Sequence, residues 1–168
     1  MKAKQYHFKS HDIKILFGDL NFRVEKDYEE AFEIIDSELS KDEKIQELLK
    51  YDQLNSSRTS TKWVGSYKEM PITFLPTYKF EVGTNKYSRC GIKKRTPSWC
   101  DRVLWHEDVH EHKDNTPDIT LLPLVYESKD VIHGDHKPVA AYFRISSCQA
   151  SSSEIDRYEA EFSDRFYE

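Results

Sequence analysis

The sequence predicts an α+β domain, and three features of the chain indicate it. An apolar run at residues 13–17 is typical of a buried strand, helix-start signals with helical spacing follow it, and several strand-like segments come after the helices. Helices followed by strands favour a layered domain in which helices cover the sheet faces and loops at one rim carry the site. The 168 residues are enough for one domain with a sizeable core.

The helices are predicted from their start signals. Asp27 with Glu30, and then Ser40 with Glu43, have the spacing of capping boxes, and apolar residues at helical spacing follow each pair. Residues 53–67 are polar and rich in serine and threonine, so we expect a surface loop there.

Further strands are predicted where apolar and β-branched residues alternate between turn-prone segments. These strands span residues 72–75, 98–105, 121–126 and 139–145. The serine-rich composition of residues 146–153 predicts a linker. We therefore expect a domain over residues 1–146 and a linker with an acidic tail or terminal helix over residues 147–168.

Composition excludes several classes of protein. Lysine and arginine number 25 against 30 acidic residues, a net charge of −5, which argues against a nucleic-acid partner. The three cysteines match neither a disulfide framework nor a zinc site and indicate a reducing compartment. There is no signal-peptide pattern and no apolar run long enough to span a bilayer. We therefore expect a soluble, cytoplasmic protein that meets an anionic ligand through a local basic cluster.

The first candidate for chemistry is the hexapeptide GDLNFR at residues 18–23, directly after the predicted strand. It presents a carboxylate, an amide and a guanidinium together, from Asp19, Asn21 and Arg23. These groups suit phosphate ester hydrolysis, because a carboxylate can orient a water and the donors can meet the developing charge. The alternative is an ordinary turn, which this hexapeptide alone favours.

The second candidate is the segment SWCDRVLW at residues 98–105. Strand alternation would put Trp99, Asp101, Val103 and Trp105 on one face. A carboxylate among aromatic rings is costly unless it accepts hydrogen bonds, and a histidine ring is one suitable donor. The alternative is an edge strand with Asp101 in solvent.

The third candidate, GDHKP at residues 134–138, supplies that histidine at the start of a strand. His136 could donate a hydrogen bond or positive charge to a phosphoryl group, with Asp101 fixing its tautomer. The alternative is a histidine without catalytic function, which is the commoner case. Of the seven histidines, we expect His106, His110 and His112 in a solvated loop.

The fourth candidate is basic and aromatic, and it combines residues 76–80 with residues 93–95. Lysine supplies a mobile charge and arginine a planar fork, so together with a tyrosine hydroxyl they suit a phosphate that is bound but not cleaved. The alternative is a solvated basic turn.

In their order and content, these motifs resemble those of the inositol polyphosphate 5-phosphatase family, within the superfamily of endonuclease, exonuclease and phosphatase folds. The signatures are residues 18–23, 97–105 and 134–139, and residues 50–54 and 74–80 also resemble family segments. The resemblance covers residues 12–145. It implies half of a four-layer α/β/β/α sandwich, namely the C-terminal half of the catalytic domain.

The implied activity is removal of the 5-phosphate of an inositol ring by in-line attack of water with assistance from Mg²⁺. Asp19 would orient the attacking water, and Asn21 would contact the scissile phosphate. Asp135 would lie near the metal ion or the water. His136 would stabilise the transition state, and Asp101 would orient His136.

The resemblance also implies that the neighbouring 4-phosphate is bound by Tyr78, Lys79, Lys93 and Arg95. The implied ligand is an inositol polyphosphate or a phosphoinositide headgroup, with peripheral membrane contact if it is a lipid. Glycine at Gly134, where many members have serine, favours a soluble substrate. A related nuclease or sphingomyelinase is disfavoured, since its substrates lack extra ring phosphates.

The family's upstream half carries an asparagine, a second histidine and the glutamate that is the main magnesium ligand, and none can be located here. Of the residues present, Asp135 is the candidate for a metal contact. We therefore expect a fragment with uncovered apolar surface and an exposed sheet edge. Two functions stay open: an active 5-phosphatase as part of a complete domain, or a non-catalytic remnant that binds phosphoinositides or protein partners.

Overall fold

The computed structural model describes residues 11–89, 91, 94–108 and 119–146. In these ranges the chain has a mixed helix and strand fold, as predicted. The elements in chain order are β1 Ile13–Asp19, α1 Tyr28–Asp36, α2 Lys41–Leu49, α3 Gln53–Ser60, α4 Lys62–Gly65, β2 Asp101–Glu107, β3 Thr120–Ser128 and β4 Val139–Ser146. None of the helices in these ranges has the length and apolar character needed to cross a lipid bilayer. The predicted linker and tail over residues 147–168 lie outside the described residues.

The helix starts follow the predicted capping residues. Asp27 accepts hydrogen bonds from the backbone N–H groups of Glu29 and Glu30, at 2.9 and 3.4 Å, and caps α1. The second signal forms a complete capping box. The backbone N–H of Ser40 donates to the Glu43 carboxylate at 2.8 Å, and the Ser40 hydroxyl accepts from the Glu43 N–H at 3.3 Å. The prediction of two helices is confirmed.

The prediction of a surface loop over residues 53–67 is wrong, because α3 and α4 occupy most of that segment. Asp52 caps α3 by accepting from the N–H of Asn55 at 3.2 Å. Leu54 and Val64 are buried in a small core cluster. Burial of these two apolar side chains and the cap at Asp52 are therefore enough to stabilise the helices, although serine and threonine are poor helix formers.

The strands form two antiparallel pairs in the described residues. In the first pair, β1 lies against β2 with Ile13 opposite Glu107 and Asp19 opposite Asp101. In the second, β3 lies against β4, with an irregularity between Pro123 and Val125. A predicted strand at residues 72–75 is absent. Pro71 and Pro76 flank that segment, and proline lacks the N–H that a strand ladder needs.

Side chains of β2 divide between two clusters, in keeping with strand alternation. Val103 and Trp105 pack in the main cluster together with Trp99, which confirms that these predicted neighbours share a face. Leu104 points the other way, into the smaller cluster beside α3 and α4. The second sheet packs on the Val103 side, where Trp105 and Phe143 have ring centroids 5.5 Å apart.

A buried ion-pair cluster links β2 to α3, and sequence analysis missed its geometry. Arg102 is 1% exposed and donates to Asp52 at 2.9 and 3.1 Å and to Glu69 at 2.8 Å from two nitrogens. The Tyr126 hydroxyl donates to Glu69 at 3.0 Å. Burial raises the pKa of the Asp52 carboxyl, and Arg102 opposes that rise. Because neighbouring strand residues point to opposite faces, Arg102 points away from the Asp101 side.

His106 lies in β2 and not in the expected solvated loop. Its ring nitrogens contact the Ser66 carbonyl and the Asp108 carboxylate, each at 2.8 Å. These two acceptors hold the ring against the loop after α4. His110 and His112 lie outside the described residues.

Large apolar side chains remain exposed on both sheets. Phe17 on β1 is 71% exposed, and Tyr142 and Ile145 on β4 are 54% and 53% exposed. Leu122 and Leu124 on β3 are 50% and 48% exposed. A folded domain seldom leaves this many large apolar side chains exposed, since their burial is a main source of stability.

Candidate active site

The site begins where β1 ends. Asp19 pairs with Asp101 in the register of β1 and β2, so the two carboxylates extend from the same end of this sheet. Cα atoms of directly opposed residues are about 4.5–5.5 Å apart in an antiparallel pair. Gly18, with φ +131°, adopts a conformation that side chains disfavour just before this point.

A tight loop presents the amide of Asn21 beside Asp19. Asn21 has φ 63°, in the left-handed region that asparagine tolerates better than most residues. Its backbone N–H donates to the Asp19 carboxylate at 3.0 Å. The N–H of Leu20 donates to the Cys100 carbonyl at 2.8 Å, which holds the loop against the chain entering β2.

His136 and Asp101 contact each other, as predicted. The Nδ1 atom of His136 lies 2.8 Å from Oδ2 of Asp101, and the hydroxyl of Thr77 donates to the same oxygen at 3.0 Å. Thr77 is fully buried, and the Asp101 and His136 side chains are 20% and 31% exposed. With Nδ1 held by the carboxylate, Nε2 is the ring nitrogen left for a ligand.

Residues 77–80 bring these parts together by backbone hydrogen bonds on both sides. Tyr78 and Ser98 exchange bonds of 3.1 and 2.7 Å at the entry to β2. On the other side, the backbone N–H of Lys137 donates to the backbone carbonyl of Thr77 at 2.8 Å. The backbone N–H of Phe80 donates to the backbone carbonyl of Asp135 at 2.9 Å. The central segment therefore joins the second and third motifs.

The ring of Tyr78 packs against the imidazole of His136, with centroids 4.5 Å apart. Lys79 extends its ammonium to 3.8 Å from the Asp135 carboxylate. Both of these charged side chains are partly exposed, at 37% and 41%. The structure thus brings the predicted Tyr78 and Lys79 to the edge of the Asp101 and His136 pair.

Arg23 also belongs to this cluster. Its Nη2 donates to the side-chain oxygen of Asn21, and its guanidinium carbon lies 4.6 Å from the centroid of the Tyr78 ring. Sequence analysis identified Arg23 only as a guanidinium that could meet the developing charge.

The basic run at residues 93–95 is not assembled with these groups in the described structure. Lys93 lies outside the described residues. Lys94 pairs with Glu29 and lies over the Tyr28 ring, on the side of α1. Arg95 is exposed and makes no hydrogen bond, ion pair or ring contact with other residues that the structure describes.

Sequence reasoning missed two residues of this region, Thr77 and Lys137. Lys137 is 5% exposed, contacts the side chain of Asn85 and the carbonyl of Val131, and lies 4.8 Å from the centroid of the Phe80 ring. Both residues fall inside segments that the motifs covered. Nothing in their local sequence indicated that they would be buried.

Cys100 lies between the two motif residues Trp99 and Asp101, yet it is not a nucleophile. It is fully buried, and burial raises the pKa of its thiol to about 12, while the charge of Arg23 opposes the rise. A neutral thiol is a poor nucleophile. A mechanism through a cysteine phosphate is therefore not supported.

No group of three histidine, cysteine, aspartate or glutamate side chains that could hold a metal ion exists among the described residues. The carboxylates nearest the site are Asp19, Asp101 and Asp135. Asp101 already accepts from His136 and Thr77, so Asp19 and Asp135 have the larger remaining capacity for a cation. The described residues alone do not complete a metal site.

Comparison with known proteins gives a consistent result. Residues 1–142 match the family described as Endonuclease/Exonuclease/phosphatase family 2. The chain is 34% identical over 148 residues to inositol-1,4,5-trisphosphate 5-phosphatase 1 of Schizosaccharomyces pombe, covering 88% of this chain and 12% of that protein. It is 37% identical over 142 residues to human phosphatidylinositol 4,5-bisphosphate 5-phosphatase A, covering 79% of this chain and 13% of that protein.

Among solved structures, the chain is similar to the inositol polyphosphate 5-phosphatase domain of SPsynaptojanin in complex with inositol (1,4)-bisphosphate and calcium ion. The TM-score is 0.69 at 32% identity, over 93% of this chain and 41% of that one. It is also similar to the F64V mutant of Cimex nitrophorin in a ferrous NO complex, with a TM-score of 0.65 at 32% identity, over 80% of this chain and 42% of that one. This chain therefore spans less than half the length of the solved structures and a small part of the curated relatives.

Proposed function

Because the chain belongs to Endonuclease/Exonuclease/phosphatase family 2, with inositol 5-phosphatases among its relatives, we propose that it forms the phosphate-handling part of an inositol polyphosphate 5-phosphatase. The reaction would be hydrolysis of the 5-phosphate of inositol polyphosphates or phosphatidylinositol phosphates. The observation that carries this proposal is the contact of His136 and Thr77 with one oxygen of Asp101, beside Asp19.

The proposed chemistry is attack of water on phosphorus in line with the leaving inositol oxygen. Asp19 would orient the water and accept its proton, as a carboxylate at the open end of a sheet can do. His136, with Nδ1 held by Asp101, would direct Nε2 to the transferring phosphoryl group and stabilise its charge. Asn21 would donate its amide N–H to a phosphate oxygen, while its amide oxygen stays with Arg23.

Recognition of the neighbouring 4-phosphate is the second part of the proposal. Lys79 extends a mobile cation at the edge of the site, and the Tyr78 hydroxyl lies on the same short segment. The proposal keeps Lys93 and Arg95 as further contacts, because the exposed side chain of Arg95 is available to a ligand.

Magnesium assistance is also a proposal. When bound, the cation would neutralise phosphate charge and polarise the P–O bonds. Magnesium commonly uses one or two carboxylates and fills its remaining positions with waters and phosphate oxygens. Asp135 and Asp19 could supply such carboxylates, but the described residues form no complete site, so residues elsewhere would have to contribute.

We further propose that this chain acts as part of a larger domain. Phe17, Leu122, Tyr142 and Ile145 leave apolar surface uncovered on both sheets, and the similar synaptojanin domain has additional chain beyond the matched 41%. Further residues that pack on those faces would bury this surface. The same residues could supply the missing metal ligands.

The proposed activity is tested by phosphate release from inositol 1,4,5-trisphosphate, with Mg²⁺ or with EDTA. The assay uses the chain alone and the natural polypeptide that contains it. We expect Mg²⁺-dependent release that Asp19→Ala and His136→Ala abolish, while the control Asp42→Ala, on the exposed side of α2, keeps full activity. Undiminished turnover in either site variant would refute the corresponding role.

The alternative is a non-catalytic module that binds phosphoinositides or protein partners. The partly exposed side chain of Lys79 and the exposed side chain of Arg95 favour it, because cations can bind phosphate groups without cleaving them. This reading predicts binding to vesicles that contain phosphatidylinositol 4,5-bisphosphate without phosphate release under any metal condition. Turnover by the natural polypeptide would exclude it.

A further inference from the structure

Arg23 has contacts in the candidate site that the proposed reaction does not use. Its backbone is fixed on both sides by Gln53: the Arg23 N–H donates to the Gln53 side chain at 3.0 Å, and the Gln53 N–H donates to the Arg23 carbonyl at 2.8 Å. The next residue, Val24, donates its N–H to the Ser98 hydroxyl at 3.0 Å. The guanidinium therefore starts from a backbone position that three hydrogen bonds define.

From that position the guanidinium contacts two residues of the site. Through Nη2 it donates to the side-chain oxygen of Asn21, whose backbone is in the left-handed region with φ 63°. The guanidinium carbon lies 4.6 Å from the centroid of the Tyr78 ring, and the ring centroids of Tyr78 and His136 are 4.5 Å apart. Arg23 therefore contacts Tyr78, and Tyr78 contacts His136 with the two rings tilted by 39°.

One nitrogen of Arg23 is closed to a ligand. Nη1 has no access to solvent and no hydrogen-bond partner in the described residues. A ligand cannot reach this atom unless the surrounding side chains move. A buried donor without a partner costs free energy, and its retention fits a residue held for its position.

We infer that Arg23 is a positioning residue, which fixes the Asn21 amide on one side and the Tyr78 and His136 rings on the other. This inference rests on the proposed function. Arginine suits the task because its planar group can stack on a ring and donate a directed hydrogen bond at the same time. Lysine can carry the charge, but it has no planar group that can stack on a ring while it donates a directed hydrogen bond.

The kinetic test compares Arg23→Met and Arg23→Lys in the natural polypeptide that contains this chain. Misplacement of reacting groups by about 1 Å can cost about 100-fold in rate. We expect Arg23→Met to lower kcat about 100-fold with KM changed less than about 3-fold, and Arg23→Lys to recover only part of kcat. The control is Lys26→Met, which removes a cation lying 4.4 Å from the Tyr51 ring outside the site. It should leave both constants unchanged.

A second readout does not depend on turnover. Because the Tyr78 ring lies 4.5 Å from the His136 ring, its ring current is expected to shift the NMR resonance of the His136 Hε1 proton. We expect Arg23→Met to move this resonance toward its value in Tyr78→Leu, and Lys26→Met to leave it in place. A raised KM with unchanged kcat, or an unmoved His136 resonance in folded Arg23→Met, would overturn the inference. Absence of phosphate release by the unsubstituted protein would instead count against the proposed function, and the resonance would still decide the role of Arg23.

Discussion

Asp19 and Asp101 lie directly opposite each other at the end of the β1 and β2 ladder, although 81 intervening residues separate them in the chain. Like charges in directly opposed positions destabilise a sheet unless other groups compensate. Asp101 is compensated by the hydroxyl of Thr77 and the ring of His136, and Asp19 accepts the backbone N–H of Asn21. The pair therefore concentrates carboxylate oxygens at one end of the sheet, next to His136.

Thr77 is the buried donor on which the orientation of Asp101 depends. Replacing it with valine keeps the shape and removes the hydroxyl, so one hydrogen bond to a carboxylate is lost. A hydrogen bond to a charged group is worth roughly 2 kcal/mol. If the activation free energy rises by that amount, kcat in Thr77→Val should fall about 30-fold.

The matched control is Thr77→Ser, which keeps the hydroxyl and should keep most of the activity. Steady-state phosphate release from inositol 1,4,5-trisphosphate measures both variants. Equal kcat values for the valine and serine variants would contradict the role of this hydrogen bond.

Lys79 is expected to bind the 4-phosphate, which is held but not cleaved. An interaction made in both ground and transition states raises KM when it is lost, with little effect on kcat. We expect Lys79→Met to raise KM about 10-fold for inositol 1,4,5-trisphosphate and to leave KM for inositol 1,5-bisphosphate unchanged.

The control is Lys86→Met, an exposed cation in the following turn. It should leave KM for both substrates as it is. A loss confined to kcat in Lys79→Met, or an equal rise of KM for the two substrates, would show that Lys79 does not read the 4-phosphate.

Arg102 supports the fold from the face of β2 opposite Asp101. Removing its guanidinium would leave the buried carboxylates of Asp52 and Glu69 without their main partner. Breaking such a pair from one side costs about 3–5 kcal/mol. We expect Arg102→Met to lower the free energy of unfolding by about that amount in urea titrations followed by circular dichroism.

Lys50→Met is the comparison for Arg102, because it breaks an exposed pair with Glu47 and should have little effect. If both variants unfold at the same urea concentration, the buried cluster does not stabilise the domain.

His106 provides a pH-dependent test of the structure away from the site. The carbonyl of Ser66, and then the carboxylate of Asp108, raise the pKa of its imidazole, while Lys14 opposes the rise. Because the folded pKa exceeds the unfolded value of about 6.5, the stabilisation by His106 is fully present below pH 6.5 and is lost as the pH rises through the folded pKa.

Nuclear magnetic resonance titration of the His106 ring should therefore give a midpoint above 6.5, and Asp108→Asn should lower it. A midpoint at or below 6.5 in the unsubstituted protein would mean that these acceptors do not hold the charged ring.

Much of the site was predictable from local sequence. The hexapeptide at residues 18–23 begins in the last two residues of β1, Asp101 is the first residue of β2, and His136 comes just before β4. Sequence identifies such places, since strand periodicity and turn residues are local properties. The chemistry of the two side chains, and then the resemblance, indicated that His136 and Asp101 would be partners, and the structure shows their contact.

The errors have a common origin in contacts between distant segments. Residues 53–67 form helices because Leu54 and Val64 find a pocket beside Leu104, which their own polar neighbours do not reveal. The segment at residues 72–75 contributes buried side chains without joining a strand ladder. Local propensity cannot decide either outcome when tertiary packing supplies most of the stabilisation.

By itself, the sequence determined which chemical groups are present, where each motif lies along the chain, and the positions of β1, α1 and α2, because these follow from side-chain chemistry and from periods of a few residues. Only the tertiary structure decided that Thr77 completes the Asp101 contact, that Arg102 is buried between Asp52 and Glu69, and that Arg23 stacks on Tyr78. Each of those facts depends on which side chains meet across the core and on how much water is excluded there. Burial and partner geometry are properties of the packed chain.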